Sequence, residues 1–513
     1  MSIVAALVGA LLYGLALPPY DVSAAGWFAI VPLLLVVRGR DPWSAFRVGV
    51  LSGFLSAWVV TWWLAQAVAR YFAAGMFVGV LAMSAAYALA VGSAFGLFAA
   101  GTAVLVQRAR PLVASLTVPA LWVACELLRG RLIGQPWGLL GYTQYTNTGL
   151  IQVAALTGVY GVSFVAAMAN VAIAEAIARV RTGKPRRAVA KALALPACIV
   201  GAVWLGGALH AQRGPAGGFA AQRVAVIQTN VAPAFEWTRA YAEAEVLAHV
   251  RATDALPPAS RPALIVWPEN AVPRYLEGEP GLAAELAALA MRHRADLLFG
   301  APRHEDGHTY NSLRLITAAG RNGGHYDKRH LVLFAEAGPL AGPVSRVPSE
   351  SPREFSAGAA APGILRSFVP LGVSICHEIL YPELVQHDVR AGAALLVNVS
   401  NDGWLDAGYG MASRQHFAMA VFRAVEARRY LVRAATTGVS GVVDPYGRIV
   451  QTLPPGAAGV IQTSVAGRIS RTPYTRFGDL FAVLCAAGAG VVLWRFRPLL
   501  VWRRRLVSAH STP

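Results

Sequence analysis

Three short stretches in the second half of the chain carry side chains that could do covalent chemistry together. Cys376 lies in Val373-Ser374-Ile375-Cys376-His377-Glu378, Glu269 in Trp267-Pro268-Glu269-Asn270, and Lys328 in Tyr326-Asp327-Lys328-Arg329. A cysteine nucleophile needs its thiolate, a proton acceptor and help for the oxyanion it creates. Glu269 suits a general base that later returns the proton to a leaving group. An ammonium such as Lys328 beside the sulfur would lower the thiol pKa and stabilise an oxyanion by charge. The backbone N–H of His377 could be a second oxyanion donor. Glu336, eight residues past Lys328, is placed to orient the lysine, and Glu378 to support the base or the cysteine turn. Taken singly, each has an ordinary reading as a surface lysine, a capping glutamate or an ion pair. Together they describe a Glu/Lys/Cys acyl-transfer site.

The elements that would position these groups follow from patterning. The apolar run Ser367 to Ile375 predicts a buried strand, and Pro382 to Arg390 the helix after it, with Cys376 at the turn between them. Glu269 follows a strand ending at Trp267, at the carboxyl end where α/β sites gather. Further strands are expected at 223–227, 264–266, 296–300, 312–317, 394–399 and 441–443, and helices at 240–252, 282–293 and 411–429. Their alternation predicts an α/β domain with helices on both sheet faces. The Gly-, Pro- and Ser-rich segment 336–362 reads as a lid or arm. No histidine pattern suggests a metal, no glycine fingerprint suggests a nucleotide, and no cofactor is expected. His377 adjoins Cys376 in sequence; neighbours at a turn point apart, so a Cys–His dyad is the weaker arrangement.

The remainder of the chain is of a different kind. Hydrophobic residues make up 56% and charged residues 14%, with mean hydropathy +0.48, which predicts several membrane spans beside one soluble domain. Seven apolar runs, near 3–19, 23–37, 44–66, 72–104, 112–128, 153–178 and 189–209, precede the soluble block, and an eighth near 478–494 follows it. The first lacks a basic leader and a cleavage site and reads as a retained span. The expected division is a seven-span membrane domain over 1–212, a linker over 213–220, a catalytic domain over 221–468, and a last span with a basic cytoplasmic tail over 469–513. The net charge of +18 sits at the ends of apolar runs, the pattern of membrane topology and not of nucleic-acid binding. On that count the soluble block lies outside the cytoplasm, and Arg129 and Arg131 are exceptions, being basic residues on the weakly basic side. Of the four cysteines, only Cys376 lies in the soluble block, so no disulfide is expected there.

The three stretches, in this order and with strands before the glutamate and the cysteine, resemble the nitrilase superfamily. With the spans around them, the chain resembles the superfamily's membrane-embedded branch, the apolipoprotein N-acyltransferases. The likeness extends to Arg129 to Tyr142, Gln228-Thr229-Asn230 with Trp237 downstream, Lys328 to Glu336, and Ser400-Asn401-Asp402-Gly403-Trp404. It implies an αββα sandwich carried on about eight membrane helices, Glu269 as base, Lys328 as oxyanion-stabilising lysine and Cys376 as nucleophile. Glu336 and Glu378 would be supporting glutamates and Trp237 a substrate-facing residue. Family members often have tyrosine where His377 stands, which leaves the backbone donor in place. The implied reaction is ping-pong: a phospholipid gives an acyl chain to Cys376, and the α-amine of a diacylglyceryl-cysteine on a bacterial lipoprotein collects it. Implied partners are these two lipids, in a monomeric multi-pass protein of the inner membrane with its catalytic domain on the periplasmic face. The alternative is a membrane-tethered amidohydrolase with water as acceptor.

Overall fold

The computed structural model describes residues 2–72, 74–212, 218–234, 238–332, 335–337, 354–406 and 410–496. The chain divides into two compact units. One comprises 1–62, 81–212 and 477–513, the other 63–80 and 213–476.

In the second unit, two six-stranded sheets stack face to face. The first contains β1 (Gln222–Gln228), β2 (Leu264–Val266), β3 (Asp296–Glu305), β4 (His308–Ile316) and β5 (Asn322–Asp327). The second contains β6 (Ile364–Arg366), β7 (Pro370–Ile375), β8 (Leu395–Ser400), β9 (Leu431–Ala435), β10 (Ser440–Val443) and β11 (Ile449–Leu453). β12 (Gly459–Val465) then returns to the first sheet beside β1. β1, β2 and β3 run parallel to one another, as do β7, β8 and β9. Alternation along the strands builds the layers. Val224 and Val226 of β1 and Leu264 and Val266 of β2 face the second sheet, where they meet Val373, Ile375, Val397 and Val399. Ala225, Ile227 and Ile265 face outward beneath the helices Arg239–Asp254 and Pro280–His293. The helices Pro382–Arg390 and Met411–Ala427 cover the second sheet. This is the expected αββα sandwich.

The run Ser367 to Ile375 departs from its expected form. It is not one strand: β6 and β7 form an antiparallel hairpin across Ser367–Val369. Pro370 opens β7 because a proline can begin a strand without an amide to donate but does not sit within its ladder. The strand still ends at Ile375 and the helix still opens at Pro382.

Among the described residues, five helices are long and apolar enough to cross a membrane: Pro42–Thr61, Met76–Arg108, Pro111–Arg131, Val159–Arg181 and Arg186–Gln212, all in the first unit except the first residues of Met76–Arg108. That is fewer than the eight expected. Shorter apolar helices, Ser2–Leu15, Ser23–Val36 and Leu480–Arg495, occupy the other three positions. The second of these begins as a 3₁₀ stretch, Ser23–Trp27. Pro42–Thr61 packs on Ser93–Arg108 with no room for a side chain at Gly49, where a Cβ would lie 2.4 Å from the carbonyl of Phe95. Glu175, a charge expected within a span, is paired with Arg38 and Arg179. Residues 213–217 of the expected linker and 497–513 of the expected tail lie outside the described residues.

One glycine in the sandwich fixes a turn that matters below. A Cβ on Gly300 of β3 would meet Asn270 N at 2.5 Å and Glu269 Cα at 2.7 Å, both main-chain atoms unable to yield. Gly300→Ala is therefore expected to displace the Pro268–Asn270 turn and destabilise the catalytic unit by about 1–3 kcal/mol, read as a lower Tm in detergent. An unchanged Tm would show that the turn accommodates the methyl.

Candidate active site

Glu269, Lys328 and Cys376 stand at strand ends. Glu269 follows β2 through Trp267 and Pro268, Lys328 follows β5 directly, and Cys376 follows β7. Cys376 has a left-handed backbone, φ +53°, a conformation that costs a non-glycine residue free energy and presents the side chain at a sharp turn. A short 3₁₀ turn, Cys376–Leu380, then leads to the helix at Pro382.

Lys328 is the charge centre. It is 1% exposed, donates from Nζ to Glu336 Oε1 at 2.8 Å, and lies 3.6 Å from Glu269 Oε1. Burial alone would lower its pKa. The carboxylates of Glu336 and Glu269, together with Cys376, outweigh that and hold it above the usual lysine range. Glu269 accepts from Asn311 Nδ2 at 2.8 Å and from the backbone N–H of Asn401 at 2.7 Å. Its carboxyl is pushed up by burial and by Glu336, against the charge of Lys328. Asn311 also donates to Glu336 Oε1 at 2.9 Å, and Glu336 Oε2 accepts from the Val332 N–H. Burial pushes the half-buried Cys376 thiol up and Glu269 adds to the rise, while Lys328 pulls it down. The resting site therefore favours a neutral thiol.

Glu378 holds the frame. Fully buried, it accepts from the backbone N–H groups of Ile375 (2.7 Å), Arg329 (2.8 Å) and His330 (3.0 Å) and from the Tyr326 hydroxyl (2.8 Å). It thus ties the residue before the cysteine to the two residues after the lysine. Burial raises its pKa, and the Ile375 amide and Lys328 charge oppose the rise.

Behind Cys376 lies a buried polar cluster. Asn398 Nδ2 donates to the Cys376 carbonyl (3.2 Å) and to Ser374 Oγ (3.0 Å), and Arg433 donates to Asn398 Oδ1. Arg433 Nη2 also meets Asp402 Oδ2 at 2.8 Å; Ser400 Oγ and His416 Nδ1 meet Asp402 Oδ1 at 2.6 and 3.0 Å. Although burial opposes it, Arg433 and His416 hold the Asp402 carboxyl well below the usual range. This set constrains the backbone at Cys376. Sequence reasoning gave no role to Asn311, Asn398, His416 or Arg433. The available signal was Arg433 itself, a charge inside the apolar run Leu431 to Ala435, which implies a buried partner.

The His377 ring lies 5.4 Å from that of His330 and 5.6 Å from that of Tyr381 between centroids, and burial pushes its pKa well down. It is thus a neutral member of an aromatic group beside the site. Trp237 lies outside the described residues, as do Leu333, Phe334, Leu340 and most of the expected arm, 338–353.

Two family profiles match the chain: "Apolipoprotein N-acyltransferase N-terminal domain" over residues 9–172 and "Carbon-nitrogen hydrolase" over 223–474. A curated apolipoprotein N-acyltransferase of Geobacter metallireducens is 36% identical, covering 95% of this chain and 94% of that protein. The chain belongs to the apolipoprotein N-acyltransferase family. A relative of the same name from Pseudomonas putida is 32% identical over 93% of this chain and 94% of its own. Among solved structures, an amidase of the nitrilase superfamily from Nesterenkonia AN1 aligns with 51% of this chain and 95% of its own, at 18% identity and TM-score 0.39. Full-length relatives with this name do not favour the tethered-amidohydrolase alternative.

Removing the Glu378 carboxylate leaves three backbone amides without their acceptor. Glu378→Ala is expected to lower stability of the catalytic unit by about 3 kcal/mol or more, measured as a Tm fall. Arg433→Met should do likewise, because Asp402 would remain charged and buried. A shift within experimental error for both would show that neither carboxylate organises the site.

Proposed function

We propose that this protein is an apolipoprotein N-acyltransferase that works through a thioester on Cys376. The observation that carries the reading is the buried Lys328 cation held between Glu336 and Glu269 and electrostatically coupled to Cys376, in a chain similar over nearly its full length to proteins of that name.

In the first half-reaction Glu269 takes the Cys376 proton as sulfur attacks an ester carbonyl of a phospholipid. The Lys328 ammonium and the His377 backbone N–H stabilise the oxyanion. Collapse breaks the ester C–O bond, Glu269 returns the proton to the departing alcohol, and a lysophospholipid leaves. In the second half, the α-amine of a diacylglyceryl-cysteine attacks the thioester carbonyl. Glu269 takes a proton from the nitrogen, the C–S bond breaks, and the thiol is restored. Glu336 orients Lys328, Glu378 fixes the lysine relative to the cysteine, and Trp237 faces the substrate. A lysine cation held by two carboxylates stays charged throughout the working pH range, so it acts by charge and not as a base. Excluding water protects the thioester from hydrolysis.

The same reading assigns 1–212 to the membrane, 213–220 to a linker, 221–468 to catalysis and 469–513 to a last span with a basic cytoplasmic tail, in a monomer. The asymmetry of lysine and arginine between loops supports a bacterial inner-membrane location with the catalytic domain on the periplasmic face. Both substrates carry acyl chains, which suits a site served from the bilayer.

Purified protein given phospholipid and a diacylglyceryl-cysteine peptide should release lysophospholipid and triacylated peptide in equal amounts. Free fatty acid in place of acylated peptide would reject the transferase reading. Cys376→Ala should abolish transfer, Cys376→Ser should be nearly as poor because a hydroxyl is far less ionised than a thiol, and Lys328→Met should lose at least about 10²-fold in kcat. The Glu269 carboxyl is raised and must be ionised to accept the proton. Activity should therefore fall with acid around a midpoint above the ordinary glutamate value of about 4.3. A midpoint at or below that value would assign the base elsewhere.

A further inference from the structure

Of the run Ser400-Asn401-Asp402-Gly403-Trp404, only the Asn401 N–H has so far met a reacting group, donating to Glu269 Oε2 at 2.7 Å. Its neighbour Ser400 closes β8 and is fully buried. Strand register brings Ser400 to the nucleophile. β7 and β8 run parallel with Ser374 opposite Asn398 and Ile375 opposite Val399. The side chains of Ser374 and Asn398 touch, Asn398 Nδ2 donating to Ser374 Oγ at 3.0 Å. Two residues on from that pair, Ser400 comes opposite Cys376, and its hydroxyl is a hydrogen-bond neighbour of the sulfur. The end of β8 thus touches both the thiol and the base.

The Ser400 hydrogen has a fixed direction at rest. Asp402 Oδ1 lies 2.6 Å from Ser400 Oγ. Arg433 Nη2 donates to both Asp402 oxygens, at 3.0 and 2.8 Å, and His416 Nδ1 lies 3.0 Å from Oδ1. These neighbours keep Asp402 ionised, and a carboxylate only accepts. The Ser400 hydrogen therefore points at Asp402, which leaves the lone pairs of Oγ to the S–H of Cys376. Once Glu269 has taken the thiol proton the requirement reverses, because a thiolate needs donors. A hydroxyl rotates freely enough to supply one, and Asp402 keeps its bonds from Arg433 when Ser400 turns away. Of the groups that face the sulfur, Lys328 and Ser400 favour the thiolate, while Glu269 and Asp402 oppose it.

We propose that Ser400 is a further catalytic residue, a two-position hydroxyl that accepts from the Cys376 thiol at rest and donates to the sulfur once it is a thiolate. This deepens the proposed function and rests on Cys376 being the nucleophile. Ser400 neither gains nor loses a proton. The thiol hydrogen goes to Glu269 as the bond from sulfur to the acyl carbon forms, and Ser400 only exchanges Asp402 for sulfur as the acceptor of its own hydrogen. A thiolate appears again when the C–S bond of the second intermediate breaks, so the same rotation serves both half-reactions.

Full-length Ser400→Ala protein tests this. A thiol reacts through its thiolate, so iodoacetamide labelling at one fixed pH, read on the Cys376 peptide by mass spectrometry, reports that species without any lipid. Losing a hydrogen bond to the charged sulfur should slow labelling about tenfold. Acyl loading from phospholipid and discharge to the acceptor peptide should slow by a similar factor, with KM unchanged. Ser400→Thr, which keeps the hydroxyl, should recover most of the labelling rate. The infrared S–H band, taken as the difference from Cys376→Ala, should be that of a hydrogen-bonded thiol and should move toward the free-thiol position in Ser400→Ala. Slower turnover with labelling and S–H band both unchanged would make Ser400 a structural residue and overturn the proposal. Should the Ser400 variants not fold, the band in Glu269→Ala protein decides, since the base can no longer accept there: a bonded thiol supports the proposal and a free one overturns it. Absence of an acyl adduct on wild-type Cys376 would overturn the proposed function and the catalytic role of Ser400 with it. A normal adduct with unchanged labelling in Ser400→Ala would overturn the role of Ser400 alone.

Discussion

One buried carboxylate sets the relation between the two halves of the sandwich. Glu378 belongs to the turn after a strand of the second sheet, and two of its amide donors, Arg329 and His330, follow a strand of the first. Lys328 stands next to those donors and Cys376 next to the third, Ile375. Hydrogen bonds to this one side chain therefore tie the strand ends that carry Lys328 and Cys376 to each other, and a shift of either would break them. A second tie runs the other way: Glu269, on the first sheet, accepts from the Asn401 N–H at the end of the second. Packing alone could not hold such registration, since apolar contacts between sheets are non-directional. Directional bonds from buried amides supply it, and leaving them unmade is costly enough to enforce the geometry.

Around this frame the charges form a graded set. Lys328 is held cationic by two carboxylates, which leaves Glu269, the more weakly compensated of them, with a raised affinity for a proton. The thiol beside it is also raised. The Asp402–Arg433–His416 cluster, buried beneath the turn, reaches the Cys376 carbonyl through Asn398, which Arg433 holds.

The αββα order and the strand ends that carry Glu269 and Cys376 could be read from the sequence because strands buried on both faces are nearly continuous apolar runs, and the residues after them are few. Pro382 marked the helix start correctly. Less could be read where the physics is tertiary. β5 is Asn-Gly-Gly-His-Tyr-Asp, whose composition opposes a strand; pairing with β4 overrides it. β11 is largely exposed and has no buried face to pattern it. Asn311 gave no local sign that it bridges Glu269 and Glu336, since that role exists only once β4 lies beside both. In the membrane unit hydropathy placed the helices close to where they lie, and the three too short to span alone were already the short apolar runs of the sequence. Arg129 was visible as an exception to the charge pattern.

The central claim is that the Cys376 sulfur holds an acyl chain between two substrates. Its most direct measurement is peptide mass spectrometry of enzyme incubated with phospholipid and no acceptor. The account predicts a mass increase of one acyl chain on the Cys376 peptide, removable by neutral hydroxylamine and discharged when a diacylglyceryl-cysteine peptide is added. An acyl group on another residue, or undiminished transfer with no adduct on Cys376, would contradict it.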